Sequence, residues 1–159
     1  MKVGFDKIKQ TIAIRLWSFI NVPLLFQMKP KVVELNQTKA IICIPLHRKN
    51  KNHFNSLYMG SLVGGADLAC GILAQHLIKE SGYKISIIFK GISANFHKRI
   101  ESDAYFICKD SDKIKTLIQE TIKTGKRRNE EISVTAYCPD TFADETLASF
   151  KLALSVRKQ

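Results

Sequence analysis

The run Val63-Gly64-Gly65-Ala66-Asp67-Leu68-Ala69 sets a carboxylate among small and apolar residues. Taking a charge out of water is expensive, so a carboxylate placed there needs a reason. Asp67 is the candidate general base, able to activate a water, or the candidate nucleophile. The alternative is a carboxylate hydrogen-bonded within a subunit interface. The other reactive side chains point elsewhere. Cys43, Cys70, Cys108 and Cys138 are scattered and form no C-x-x-C pair, which predicts small hydrophobes on buried faces. His47, His53, His76 and His97 lack zinc-site spacing, so no metal site is expected.

The elements that must carry Asp67 follow from periodicity. Met59, Leu62, Val63, Ala66, Cys70, Leu73 and Leu77 recur at spacings of three and four, predicting a helix over Tyr58–Lys79 that stops at Ser81-Gly82. Its other face carries Gly64, Gly65, Ala69, Gly71 and Ala74. Interior glycines cost about 1 kcal/mol each relative to alanine, which is tolerable where something packs close to the backbone. The helix is therefore expected at the centre of the molecule, wrapped by a sheet. Strands are predicted at residues 32–35, 39–47, 83–96, 103–109 and 131–138, and a second helix over 112–124 with Gly125 as its stop. Residues 145–156 alternate and are read as a strand, a sheet edge running to the C-terminus, although a helix is possible there. The 39–47 strand alternates as one covered on both faces would. Residues 5–26 read as helix ending near Pro23. The whole is one α+β domain over 1–159, an antiparallel curved sheet wrapped around a long central helix, with residues 1–28 a helical segment packed on it.

The chain has 159 residues with 25 Lys+Arg and 14 Asp+Glu, so 25 − 14 = +11. This length buries a real core, and a 45% apolar share excludes disorder. Excess cationic charge suggests an anionic partner or simply a solvated surface. The basic residues are dispersed and no stacking motif accompanies them, so nucleic acid is not expected. The apolar stretch Leu16–Phe26 is broken by Ser18, Asn21 and Pro23 and is too short to span a bilayer. No stable membrane insertion is expected, and a cytoplasmic protein is. Phe5, Ile8, Ile12 and Trp17 leave open a surface-seeking amphipathic helix in place of one packed on the body.

This order of elements resembles the hotdog fold. Asn52-His53-Phe54-Asn55-Ser56-Leu57-Tyr58-Met59-Gly60, leading into the helix, resembles the signature of hotdog acyl-CoA thioesterases of the phenylacetate-pathway type. In that family an asparagine precedes a loop, His-Gly-Gly opens the helix, and an aspartate comes seven residues after the second glycine. Asn52, Gly60 and Asp67 match. Tyr58 stands where that family has histidine, and Met59 where it has the first glycine. The chain looks closer to an uncharacterised branch of hotdog proteins, known only as a domain of unknown function. Ile92–Arg99 and Thr124-Gly125-Lys126-Arg127 also look like that branch. The resemblance covers roughly residues 30–157.

The resemblance implies an acyl-CoA thioesterase, with the coenzyme A thioester as substrate and no resident cofactor. Free N–H groups at the start of a buried helix would polarise the thioester carbonyl. Gly60 would allow close approach of the ligand, and Asn52 would orient the water or the carbonyl, unless it is a loop or capping asparagine. Tyr58, Met59, Ser61 and Leu62 would contact the acyl group, with Leu57 beside them. Lys98 and Arg99 would meet the phosphates of the coenzyme A tail, with Lys49, Lys51, Lys126, Arg127 and Arg128 as further candidates. Seven helical residues separate Gly60 from Asp67 by roughly 10 Å along the axis, so one carbonyl cannot touch both within one subunit. A homodimer, or a dimer of dimers, with two composite sites is therefore expected. The alternative is a hotdog protein that binds acyl-CoA without turning it over. A dehydratase acting on carrier-protein substrates is a weaker rival: His53-Phe54 resembles its His-Phe-Pro loop, but the prolines are missing.

Overall fold

The structure is a computed structural model and describes residues 2–142 and 145–159. The chain runs α1 (Lys2–Asn21), α2 (Pro23–Gln27), β1 (Lys31–Leu35), β2 (Ala40–Ile44), α3 (Met59–Ser81), β3 (Ile85–Phe96), β4 (Ala104–Cys108), α4 (Ser111–Thr124), β5 (Arg128–Tyr137), α5 (Pro139–Phe142) and β6 (Ala148–Lys158). The six strands form one sheet in the order β1-β2-β4-β5-β6-β3, with every neighbouring pair antiparallel. The sheet curves around α3, and this is the hotdog fold. Register irregularities at Val32/Glu34 and Phe89/Ile92 mark where β1 and β3 depart from a flat ladder.

α3 lies against β2, β4 and β5 and is the spine of the core. Ala66, Ala69, Cys70, Leu73 and Ala74 are fully buried along it. It is long and apolar enough to cross a membrane, yet most of it is buried inside this sheet. It ends at Gly82, whose φ of +73° is the left-handed geometry only glycine adopts freely, and α4 ends the same way at Gly125, φ +66°. All of β2 is buried, as its two-sided apolar pattern requires.

Two differences from the sequence reading have local causes. The expected 5–26 helix is two helices. Pro23 has no N–H to continue the ladder of α1, and it instead takes the first turn of α2, where that N–H is not needed. The C-terminal strand is not an edge: β6 sits between β5 and β3, and the edge belongs to β3. β6 pairs along its length on both sides, which explains its buried alternation.

Helix and sheet approach closely at Gly65. A Cβ there would lie 2.4–2.7 Å from the ring of Phe106, itself fully buried and packed beside Phe150. Gly65→Ala gains about 1 kcal/mol of helix propensity but forces this ring to move, an overpacking cost of about 1–3 kcal/mol. The expected result is a lower melting temperature by calorimetry. An unchanged or higher value would show that α3 has room on that side. Gly71 is different: its added Cβ would meet Phe89 at an ordinary 3.8 Å.

α1 is fastened along β1. The Val32 amide donates to Thr11 Oγ1 (2.9 Å), while Arg15 donates from Nε to the Pro30 carbonyl (2.9 Å) and from Nη2 to that of Lys29 (3.1 Å). Ile14, Ser18, Leu25 and Met28 are buried beneath α1 and α2, and the tip of Met28 reaches the backbone of Gly64.

Candidate functional site

The loop before α3 is built by its asparagines. Buried Asn50 accepts the His47 amide at Oδ1 (2.9 Å) and donates from Nδ2 to the Pro45 carbonyl (2.7 Å). Its own carbonyl accepts the Tyr58 amide (2.9 Å) and the Ser61 hydroxyl (3.4 Å), fixing the chain where the helix begins. Asn52 Oδ1 accepts the Phe54 and Ser56 amides and the Ser56 hydroxyl, at 2.9, 3.2 and 3.1 Å. Asn52 is thus a loop-forming residue through its oxygen. Only Nδ2 is left to meet a ligand, and it can only donate.

The start of α3 is electrically open. Tyr58 caps it without a side-chain hydrogen bond, and no acidic residue lies in the first turn. The Ser61 and Leu62 amides donate to the Tyr58 carbonyl, whereas among the described residues those of Met59 and Gly60 have no acceptor. Two N–H groups and the positive end of a 23-residue helix are therefore available to an oxygen carrying negative charge.

Beside this end is a cavity of about 320 Å³. Asn52, Ser56, Leu57, Met59 and Leu62 line one side, and Phe96, His97, Lys98, Arg99 and Ile100 the other. The backbone bond from Leu57 N–H to the Ile100 carbonyl (2.8 Å) ties the two sides together. His97 and Lys98 are held by their amides on the Leu147 carbonyl (2.8 and 3.1 Å). The floor is apolar and the far wall cationic, which suits an apolar chain attached to an anionic group. Lys98 pairs with Glu145 at 2.8 Å, and Arg99 reaches Glu101 at 3.4 Å while stacking over Phe54.

Of the residues singled out from sequence, Asn52, Met59, Leu62, Lys98 and Arg99 meet at this cavity. Leu57 joins them. Tyr58 and Ser61 do not line it: the Tyr58 ring lies over Gly60, 2.7 Å from where a Cβ would be, and Ser61 is buried on the carbonyl of Asn50. The glycine at 60 thus admits a ring of its own chain. Lys49, Lys51, Lys126, Arg127 and Arg128 are also absent from the lining. Ser56, Phe96, His97 and Ile100 join the lining without a sequence motif that marks them. Phe96 and His97 directly precede the Lys98-Arg99 pair, and that adjacency is the one available signal.

Asp67 lies outside the cavity. It sits half-buried on the stripe Val63, Gly64, Asp67, Gly71 of α3. Burial pushes its carboxyl above the usual aspartate range, with no cation among the described residues opposing the effect. The four cysteines are buried and outside any disulfide, and among the described residues no three His, Cys, Asp or Glu side chains converge as metal ligands would.

Residues 12–147 match a protein family described as Domain of unknown function (DUF4442). No curated protein matches the chain. Solved structures similar to it include a protein of unknown function from Chlorobaculum tepidum, at 14% identity and TM-score 0.80, covering 96% of this chain and 97% of that one. A candidate thioesterase from Shewanella oneidensis is similar at 14% identity and TM-score 0.77, covering 94% and 97%. A mutant thioesterase from Pseudomonas aeruginosa is similar at 11% identity and TM-score 0.69, covering 95% and 94%.

Proposed function

Because the chain belongs to the DUF4442 family of unknown function and carries the hotdog fold, we propose that it is an acyl-CoA thioesterase acting as a homodimer. The observation that carries this reading is the cavity at the open N-terminus of α3, apolar below and cationic beside. The acyl chain rests on Leu57, Met59 and Leu62. The thioester carbonyl oxygen meets the free amides of Met59 and Gly60 and the Nδ2 group of Asn52, all donors, which stabilise the negative charge that develops there. Arg99 and Lys98, exchanging Glu101 and Glu145 as partners, bind the phosphates of the coenzyme A tail.

Asp67 of the partner subunit supplies the base. It takes a proton from a water whose oxygen attacks the thioester carbon. The tetrahedral intermediate then collapses, the C–S bond breaks, and the proton returns to the leaving sulfur. The product pair is a carboxylic acid and free coenzyme A. Two features support the exchange between subunits. Asp67 does not line its own subunit's cavity. The edge strand β3 is twelve residues long and exposes Ile88, Ile92 and Phe96, the profile of an edge awaiting a partner strand.

Tyr58, standing where the resembled family has histidine, favours a second reading, binding of acyl-CoA without turnover. A hydrolysis panel of short, medium, long-chain and aromatic acyl-CoAs separates the two by thiol release. The expected result is measurable turnover of at least one chain class. Saturable binding with no turnover of any class would establish the second reading instead.

A further inference from the structure

We propose that the outer face of α1 and α2 is a seat for an anionic lipid surface, on which the protein lies without crossing it. One side of α1 holds the body through Thr11, Ile14, Arg15 and Ser18. The opposite side presents Ile8, Ile12, Leu16, Phe19 and Ile20, spaced by three and four, so they form one continuous face. All are exposed, Phe19 at 61% and Ile20 at 73%, and α2 extends the face with Leu24 at 69%. Phe19 and Phe26 pack edge-on at 5.1 Å and join the two helices into one surface. A contiguous apolar surface of this extent on a charged, water-soluble type of sequence marks an interaction site.

Charge selects the occupant. Residues 1–31 carry Lys2, Lys7, Lys9, Arg15, Lys29 and Lys31 against Asp6 alone, so 6 − 1 = +5 of the chain's +11 lies in its first fifth. Lys7, Lys9 and Lys29 are exposed on this segment, Lys9 on the same helical row as Ile12 and Leu16, whereas Lys31 pairs with Asp103 at 3.8 Å and Arg15 is held by the Lys29 and Pro30 carbonyls. Apolar side chains flanked by cations match the boundary between acyl chains and anionic headgroups. A second copy of the chain fits worse, since apposed copies of this segment would bring like charges together. The segment cannot span a bilayer, because five charged residues fall within α1 and Pro23 separates it from the short α2.

Trp17, 52% exposed at the margin of this face, is the sole tryptophan and reports contact directly. The experiment mixes the full-length protein with phosphatidylcholine vesicles, with and without phosphatidylglycerol, and measures flotation and Trp17 emission. The expected result is flotation and a blue shift with the anionic vesicles only, weakened by salt. Ile12→Glu/Leu16→Glu is expected to cut binding at least about tenfold without lowering the melting temperature, because both side chains are exposed. Lys7→Glu/Lys29→Glu, which leaves the apolar face intact, is expected to weaken anionic binding as well. No binding by the wild-type protein, or binding that survives both double substitutions, would overturn the proposal. So would a smaller assembly for Ile12→Glu/Leu16→Glu in vesicle-free buffer, which would make this face a contact between copies.

Discussion

Asp67→Asn is expected to lower acyl-CoA hydrolysis by about 10²–10⁴-fold, the usual contribution of a positioned general base, and at neutral pH to raise the melting temperature. The two effects share one cause. Asp67 is half-buried and, among the described residues, no cation opposes that burial, so its folded carboxyl binds a proton more tightly than in the unfolded chain. A group of that kind contributes stability at low pH and loses it as pH rises through the raised folded value. At neutral pH the ionised side chain therefore destabilises the fold, and a neutral asparagine of the same shape removes that cost. The stability gap between variant and wild type should close as the pH falls and Asp67 becomes protonated. Activity has the opposite dependence, because only the ionised form is a base. The acid limb of kcat/KM is expected above the usual aspartate range. Equal rates for variant and wild type would remove Asp67 from the reaction. A variant less stable at neutral pH would show that the carboxylate is held by partners rather than strained by burial.

The second large effect is recovery of activity in mixed dimers. Met59→Trp fills part of the cavity from a half-exposed position, so that variant is expected to lose turnover by blocking the acyl group. Asp67→Asn loses turnover by lacking the base. If each site joins the cavity of one subunit to Asp67 of the partner subunit, a heterodimer of the two variants holds one intact site and one doubly defective site. Random pairing makes half the dimers mixed, so co-expression should restore about a quarter of the wild-type rate. If each Asp67 served its own cavity, both protomers of a mixed dimer would be defective and nothing would return. Thiol release after co-expression, against the two variants alone, decides between these outcomes.

Periodicity locates α3 because its apolar residues keep the helical repeat and because Gly82 and Gly125 supply a backbone geometry that ends helices. The close-packed glycine face is legible too, but only in part. Gly65 meets Phe106, whereas Gly64 and Gly71 lie on the half-open stripe with Asp67. Which glycine touches the sheet depends on the rotation of the helix about its axis, and the composition of the helix does not encode that. The break at Pro23 reads as an end because proline suits both the end of one helix and the first turn of the next. The cavity is half legible. Its near wall comes directly from the start of α3. Its far wall is brought in by the pairing of β3 with β6 and by the Leu57–Ile100 bond, contacts between segments distant in sequence that leave no local pattern. Asn52 is legible as a position and ambiguous in role, since its oxygen serves the loop and its side chain lines the cavity.

The bond from Val32 to Thr11 bears on how assembly stops. A sheet with two open edges can add strands at both ends, and copies of it can polymerise without limit. Here α1 lies along β1 and takes an outward-facing amide of that edge, so growth in that direction is terminated. Only β3 is left to accept a strand. Two copies joined through β3 present a sealed border at each end, and the process ends at two. In the proposed homodimer, the helix whose far side is proposed to meet lipid would thereby make the assembly a closed pair rather than a fibre.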